Sequence, residues 1–227
     1  MRRPAAPVAV LAAVLLCLIL LGWGLGALLV PLAHDADVAA VHALVTHEDS
    51  RLVSAMRVVT WLGSGVTLTA IGIPLAVVLL GRRCHTAVAL IAVSSLGAVL
   101  LVQSVKLLVG RLRPLDALLD ARGASFPSGH AGEALAFYGA VALVVVRTSE
   151  RRWVRIATVA VAAVLVLAVG FSRIALAVHY PSDVLGSFLL CGVWLAATAM
   201  VLWRAAATGA GASPRRPASD GPEARGG

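Results

Sequence analysis

The stretch PVAVLAAVLLCLILLGWGLGALLVP, Pro7 to Pro31, runs for 25 residues without a single charge. It follows Met1-Arg2-Arg3, the arrangement of an export signal. The apolar core of such a signal is usually about 7 to 15 residues long and ends at a small-residue cleavage site. This run is longer and has no clear site of that kind, and Cys17 behind Leu15 and Leu16 does not resemble a lipid-attachment site. We read it as an uncleaved span, because a bilayer core of about 30 Å is crossed by about 20 helical residues.

The rest of the chain follows the same pattern. Of 227 residues, 60% are apolar and 13% are charged, against roughly 25% charged in a soluble domain. At least five runs reach about 18 residues with almost no charge, and a soluble bundle would need polar faces that these runs lack. The expectation is an all-α, polytopic membrane protein. Its six transmembrane helices are placed near 8–31, 58–80, 87–107, 128–147, 153–172 and 182–203, in one membrane domain over 1–207. Between the first two spans, AHDADVAAVHALVTHEDSRLVSAMR carries Asp35, Asp37, Glu48 and Asp49 and reads as an interfacial helix or ordered loop. Residues 208–227, rich in Gly, Pro, Ala and Ser, read as a disordered cytoplasmic tail. Gly22 and Gly26 form a GxxxG pair, read as a packing contact within the bundle. Cys17, Cys84 and Cys191 have neither metal-site nor disulfide spacing and read as small packing residues.

The formal net charge of +8 is distributed among short connections and span ends rather than on one soluble face. Orientation and an anionic substrate account for it better than nucleic acid. With six spans, Arg2, Arg3, Arg82, Arg83, Arg147, Arg151, Arg152, Arg155, Arg204, Arg215 and Arg216 share one side. The positive-inside rule makes that side cytoplasmic, with both termini there.

Three segments converge on the opposite side: KLLVGRLRP (106–114), PSGH (127–130) within GASFPSGHAGE, and SRIALAVHYPSD (172–183). Charged side chains at span ends are costly and need a reason. Phosphoryl transfer supplies one. Lys106, Arg113 and Arg173 form a cationic pocket, in which arginine forks clamp phosphate oxygens and lysine acts as a point charge. Pro127, Ser128 and Gly129 open a helix whose free N–H groups favour an anion. His179 is a candidate nucleophile, oriented by Asp183 four residues later if both lie on one helix face. His130 is a candidate acid for the leaving oxygen and then a base for water. The inventory calls for no metal and no cofactor.

These motifs match K-x6-RP, PSGH and SR-x5-H-x3-D without a gap, and the region from about Arg57 to Arg204 resembles the type 2 phosphatidic acid phosphatase family. That family shares its site with vanadium haloperoxidases and glucose-6-phosphatases. The resemblance implies a six-helix core and phosphate binding by Lys106, Arg113, Ser128, Gly129 and Arg173. It also implies His130 as the acid and His179 with Asp183 as the nucleophile pair.

The functional expectation is a metal-independent membrane phosphatase. It would act at the non-cytoplasmic face of a bacterial plasma membrane on a lipid phosphate or diphosphate such as phosphatidate, phosphatidylglycerol phosphate or an isoprenyl diphosphate. A phosphotransferase to an acceptor alcohol uses the same intermediate. A transporter of phosphorylated lipid would require a polar path across the bilayer. Substrate and oligomeric state stay open. So do Glu133, three residues after His130, read as tuning His130, lining a substrate entrance or packing near the span end, and Gln103, three before Lys106, read as hydrogen-bonding near the pocket or between helices. Arg111, Asp116, Asp120 and Arg122 are read either as ion pairs ordering the outer loop or as solvated charges.

Overall fold

The computed structural model of the chain describes residues 5–45 and 50–210. Helices α1 (Ala5–Leu32), α2 (His34–Val45), α3 (Ser50–Trp61), α4 (Gly65–Gly81), α5 (His85–Val109), α6 (Gly129–Thr148), α7 (Arg152–Ala175) and α8 (Pro181–Ala210) follow in order. Five of them are long and apolar enough to cross a membrane, and the bent pair α3–α4 makes a sixth where it is counted as one span. The chain is an all-α integral membrane protein. Large apolar side chains such as Leu16, Leu20, Ile73, Val164 and Leu185 point outward, as suits helices whose outer faces meet the bilayer core.

Helix α6 lies at the centre, packed against α5, α7 and α8. Leu101, Val102, Val105, Phe126, Leu190 and Trp194 are buried together with Leu11 and Leu18 of α1. Gly22 and Gly26 do pack within the bundle: a β-carbon on them would stand 2.7 Å from Val105 and 2.5 Å from Val109 of α5. Cys191 is buried, but Cys17 is exposed. The packing role read for Cys17 is therefore wrong, because it faces away from the core.

Two expected spans need correction. The segment 58–80 is not one helix: α3 and α4 meet at 42°. Ser64 caps α4 by accepting the N–H of Thr67 at 3.2 Å, which stabilises a new helix start. Gly63, in the break, approaches α6 and α7 so closely that a β-carbon would lie 2.5 Å from Val169 and 3.0 Å from the His130 carbonyl oxygen. The second correction concerns the C-terminal end. Helix α8 continues to Ala210, three residues into the segment expected to be disordered, with the Thr208 hydroxyl donating to the carbonyls of Arg204 and Ala205. The remainder of that tail lies outside the described residues, as do Arg2, Arg3, Glu48, Asp49, Arg215 and Arg216.

Because successive spans run antiparallel, the C-terminal ends of α1, α5 and α7 gather at one end of the bundle with the N-terminal ends of α6 and α8. The connections 110–128 and 176–180 lie there, together with α2. The connections 82–84 and 149–151 lie at the other end.

Candidate active site

Of the expected site residues, Gln103, Lys106, Arg113, Gly129, His130, Glu133, Arg173 and His179 line one polar cavity of about 670 Å³, together with Thr60, Trp61 and Ser64 of the α3–α4 break, whereas Pro127, Ser128 and Asp183 are buried outside its lining. Local backbone chemistry brings them there. Gly110 closes α5 in a left-handed conformation, φ 62°, and donates its N–H to the Lys106 carbonyl. The chain therefore leaves the helix sharply, as a glycine at this position allows, and Arg111 and Arg113 turn back over the helix ends. Lys106 Nζ donates to the Ala124 carbonyl at 2.5 Å. Arg113 stitches the same loop to the opposite one: Nε to Gly123 O at 3.0 Å and Nη1 to Val178 O at 2.7 Å.

Helix α6 begins at Gly129 with Ser128 as its N-cap, yet the Ser128 side chain makes no capping hydrogen bond. Contrary to the sequence expectation of a free N–H, the Ser128 backbone donates to the Asp183 carbonyl at 3.1 Å. The N–H groups available to an anion therefore belong to Gly129 and its successors in the first turn, which have no acceptors within the helix. Ser128 Oγ is buried without a partner among the described residues, and so is Arg173 Nε. A buried donor left unsatisfied costs about 1–3 kcal/mol, and a bound oxyanion would satisfy both. Arg173 Nη1 is held by Thr60 Oγ1 at 2.6 Å.

His179 precedes α8 rather than sitting on it. Pro181 is the first residue of the helix, a position that suits its fixed φ, and a residue preceding proline is disfavoured in helical conformation. His179 and Asp183 therefore meet across the helix start, not on one helix face. Nδ1 lies 3.5 Å from Asp183 Oδ2 and 3.4 Å from Ser125 Oγ, while Nε2 lies 3.2 Å from Arg113 Nη1. A guanidinium can only donate, so Nε2 is the acceptor and Nδ1 carries the proton. Burial lowers the His179 pKa to about 3, with Asp183 opposing the shift. The ring is thus neutral at physiological pH, with a lone pair beside the cavity. Burial also lowers the pKa of Arg113, again opposed by Asp183.

Asp183 is buried and fully engaged. Oδ2 accepts Ser125 Oγ at 2.5 Å and the Tyr180 N–H at 2.9 Å, and Oδ1 accepts Arg111 Nη1 at 2.6 Å. Of the two readings of Arg111, the ion pair holds and the solvated charge does not: it is buried and pairs with Asp37 of α2 and with Asp183, both outside its own loop. Ser125, Thr60 and Asp37 carried no spacing signal, since each acts on a residue 58 to 145 positions distant. Asp116 approaches His42 at 3.9 Å and Asp120 approaches Arg122 at 4.0 Å, all exposed.

Glu133 borders both the polar cavity and an apolar groove of about 320 Å³ lined by Leu68, Gly72, Ile91, Ala92, Leu96 and Phe137. Among the described residues, no group of three or more His, Cys, Asp or Glu could hold a metal ion.

A sequence model of the PAP2 superfamily matches residues 87–207, more than half of the chain. The fold is similar to the crystal structure of a transmembrane PAP2-type phosphatidylglycerolphosphate phosphatase from Bacillus subtilis, with TM-score 0.69 and 24% identity over 91% of this chain and 98% of that one. It is also similar to LpxE from Aquifex aeolicus, with TM-score 0.58 and 21% identity over 72% of this chain and 94% of that one. No curated protein sequence matches the chain.

Proposed function

The chain belongs to the PAP2 superfamily and is a membrane hydrolase of the lipid-phosphatase type, and from that premise we propose that it cleaves a lipid phosphate monoester or diphosphate through a phosphohistidine on His179. The observation that carries this reading is the neutral His179 ring, whose Nε2 lone pair stands beside a cavity lined by Lys106, Arg113 and Arg173. His179 Nε2 attacks phosphorus, and the P–O bond to the lipid breaks. His130 donates its proton to the departing oxygen. His130 then takes a proton from water, the hydroxide oxygen attacks phosphorus, and the P–N bond breaks to release inorganic phosphate and free His179. Lys106, Arg113, Arg173, Ser128 Oγ and the Gly129 N–H stabilise the equatorial oxygens throughout. Pro127 sets the turn, and Gln103 and Glu133 line the cavity wall. The three cations supply the charge that a metal would otherwise bring, so full activity is expected in chelator.

A lipid substrate is supported by the cavity and the apolar groove meeting at Glu133: one holds a charged headgroup, the other an aliphatic chain. Phosphatidate, phosphatidylglycerol phosphate and isoprenyl diphosphates all meet that description. The basic residues at the far end of the bundle, Arg82, Arg83, Arg147, Arg151, Arg152, Arg155 and Arg204, support a cytoplasmic location for that end and a non-cytoplasmic site. The composition fits a bacterial plasma membrane, and we treat 1–207 as one membrane domain.

The test is phosphate release by purified protein from a panel of these lipids, beside His179→Ala. Wild type should release phosphate, with the variant reduced to background. Equal release by both would refute the nucleophile assignment. Recovery of the phosphoryl group on an added alcohol rather than on water would identify a phosphotransferase.

A further inference from the structure

Among the described residues, the best-defined buried charge network of this molecule lies one layer behind the cavity. Arg111 and Asp37 have side chains only 4% exposed. Arg111 Nη1 donates to Asp183 Oδ1 at 2.6 Å and to Ser182 Oγ at 2.7 Å, and Nη2 donates to Asp37 Oδ2 at 2.8 Å. The guanidinium lies over the Tyr180 ring, 4.1 Å from its centroid. Asp37 in turn accepts the Ser182 N–H at 3.0 Å and the Ser182 hydroxyl.

We infer that Arg111 and Asp37 are positioning residues that fix the rotation of the Asp183 carboxylate, which makes α2 part of the working site. The two oxygens of Asp183 have different partners. Oδ2 of Asp183 faces His179 Nδ1 and also accepts Ser125 and the Tyr180 N–H. Oδ1 has Arg111, so the carboxylate cannot turn without breaking a charge-assisted bond. Arg111 cannot swing away, because Asp37 grips its other nitrogen and Tyr180 covers its face. A planar fork held at two nitrogens is rigid, and a lysine ammonium is not. If the network merely anchored α2, the contacts between Asp37 and Ser182 would suffice. The shortest arm of Arg111 instead ends on the carboxylate beside the proposed nucleophile.

This inference rests on the phosphohistidine reading, and the experiment separates the two. The full chain, reconstituted in phospholipid nanodiscs, is assayed with a short-chain phosphatidate and with farnesyl diphosphate. Arg111→Met, Arg111→Lys, Asp37→Asn and the Arg111→Met/Asp37→Asn pair are compared per folded protein, determined by gel filtration and thermal unfolding. We expect kcat to fall on the order of 10- to 100-fold in Arg111→Met and Asp37→Asn, as when outer partners that orient a histidine are lost. KM should hold, the pattern of an interaction felt only in the transition state. Arg111→Lys should recover part of the loss. The double variant should be little worse than the worse single one, because both act through one link.

Wild-type kcat in Arg111→Met, or in Asp37→Asn alone if Arg111→Met does not fold, overturns the inference. A loss of folded protein with unchanged kcat in the folded fraction overturns it too, since it marks a purely structural role. An active His179→Ala with no phosphoenzyme in wild type refutes the nucleophile reading instead, whatever Arg111 does.

Discussion

Ser128 Oγ and Arg173 Nε are the two unsatisfied buried polar atoms of the three signature motifs, and the serine hydroxyl can be tested by removing it alone. A hydrogen bond to a charged group contributes about 1.5–3 kcal/mol, so Ser128→Ala should weaken competitive inhibition by inorganic phosphate about 10- to 100-fold. Unchanged inhibition would mean that the hydroxyl does not meet the phosphate. His179 supports a prediction about protonation. Its pKa is lowered to about 3 by burial, so the folded ring stays neutral as pH falls through 6.5, where an ordinary imidazole gains its proton. The unfolded chain gains that proton first, so the contribution of His179 to stability is complete above about pH 7 and is lost as pH falls from there toward 3. Nitrogen-15 NMR of labelled histidines, with His179 identified by its loss in His179→Gln, should show a neutral ring at pH 5. A midpoint near 6.5 would contradict the burial that we assign to it.

The individual helices show which parts of this architecture could be read from the sequence and which could not. The apolar runs mark five spans, four of them to within a few residues and α8 seven residues short at its C-terminal end, because a charge-free stretch of bilayer length has few alternatives in water. The α3–α4 break escaped notice, since Leu62, Gly63 and Ser64 do not interrupt apolar composition. The packing of Gly63 against His130 and Val169 and the capping of α4 by Ser64 account for the turn there. Lys106, Arg113, His130, Arg173, His179 and Asp183 were legible from spacing within short motifs. The partners of Arg111 and Asp37 are not legible in the sequence, because their pairing spans 74 residues and no periodicity links α2 to the end of α5. The four-residue spacing of His179 and Asp183 allows a shared helix face only if the helix starts before His179, and Pro181 starts it later. The break can be tested directly. Gly63→Val should push the α3–α4 turn away from His130 and destabilise the protein by about 1–3 kcal/mol, the usual range for overpacking. Activity per folded molecule should fall with it. Wild-type melting and turnover would show that the close approach is unimportant.

Across the whole molecule, the charge pattern divides the bundle into two ends. The site, α2 and the loop 110–128 occupy one, and seven described arginines outside the site gather at the other. In a background lacking Cys17, Cys84 and Cys191, Ala121→Cys should react in intact cells with a membrane-impermeant maleimide, and Arg151→Cys should react only after lysis. The reverse pattern would invert the orientation that we propose. The chemistry itself is tested most directly by trapping the intermediate. A good leaving group such as p-nitrophenolate departs without an acid, whereas hydrolysis of the phosphoenzyme still needs a base. His130→Ala treated with p-nitrophenyl phosphate should therefore accumulate phosphoenzyme. Alkaline quench, digestion and mass spectrometry should find one phosphoryl group on His179. A phosphoryl group on any other residue, or phosphate release with His179 unmodified throughout, would contradict the account.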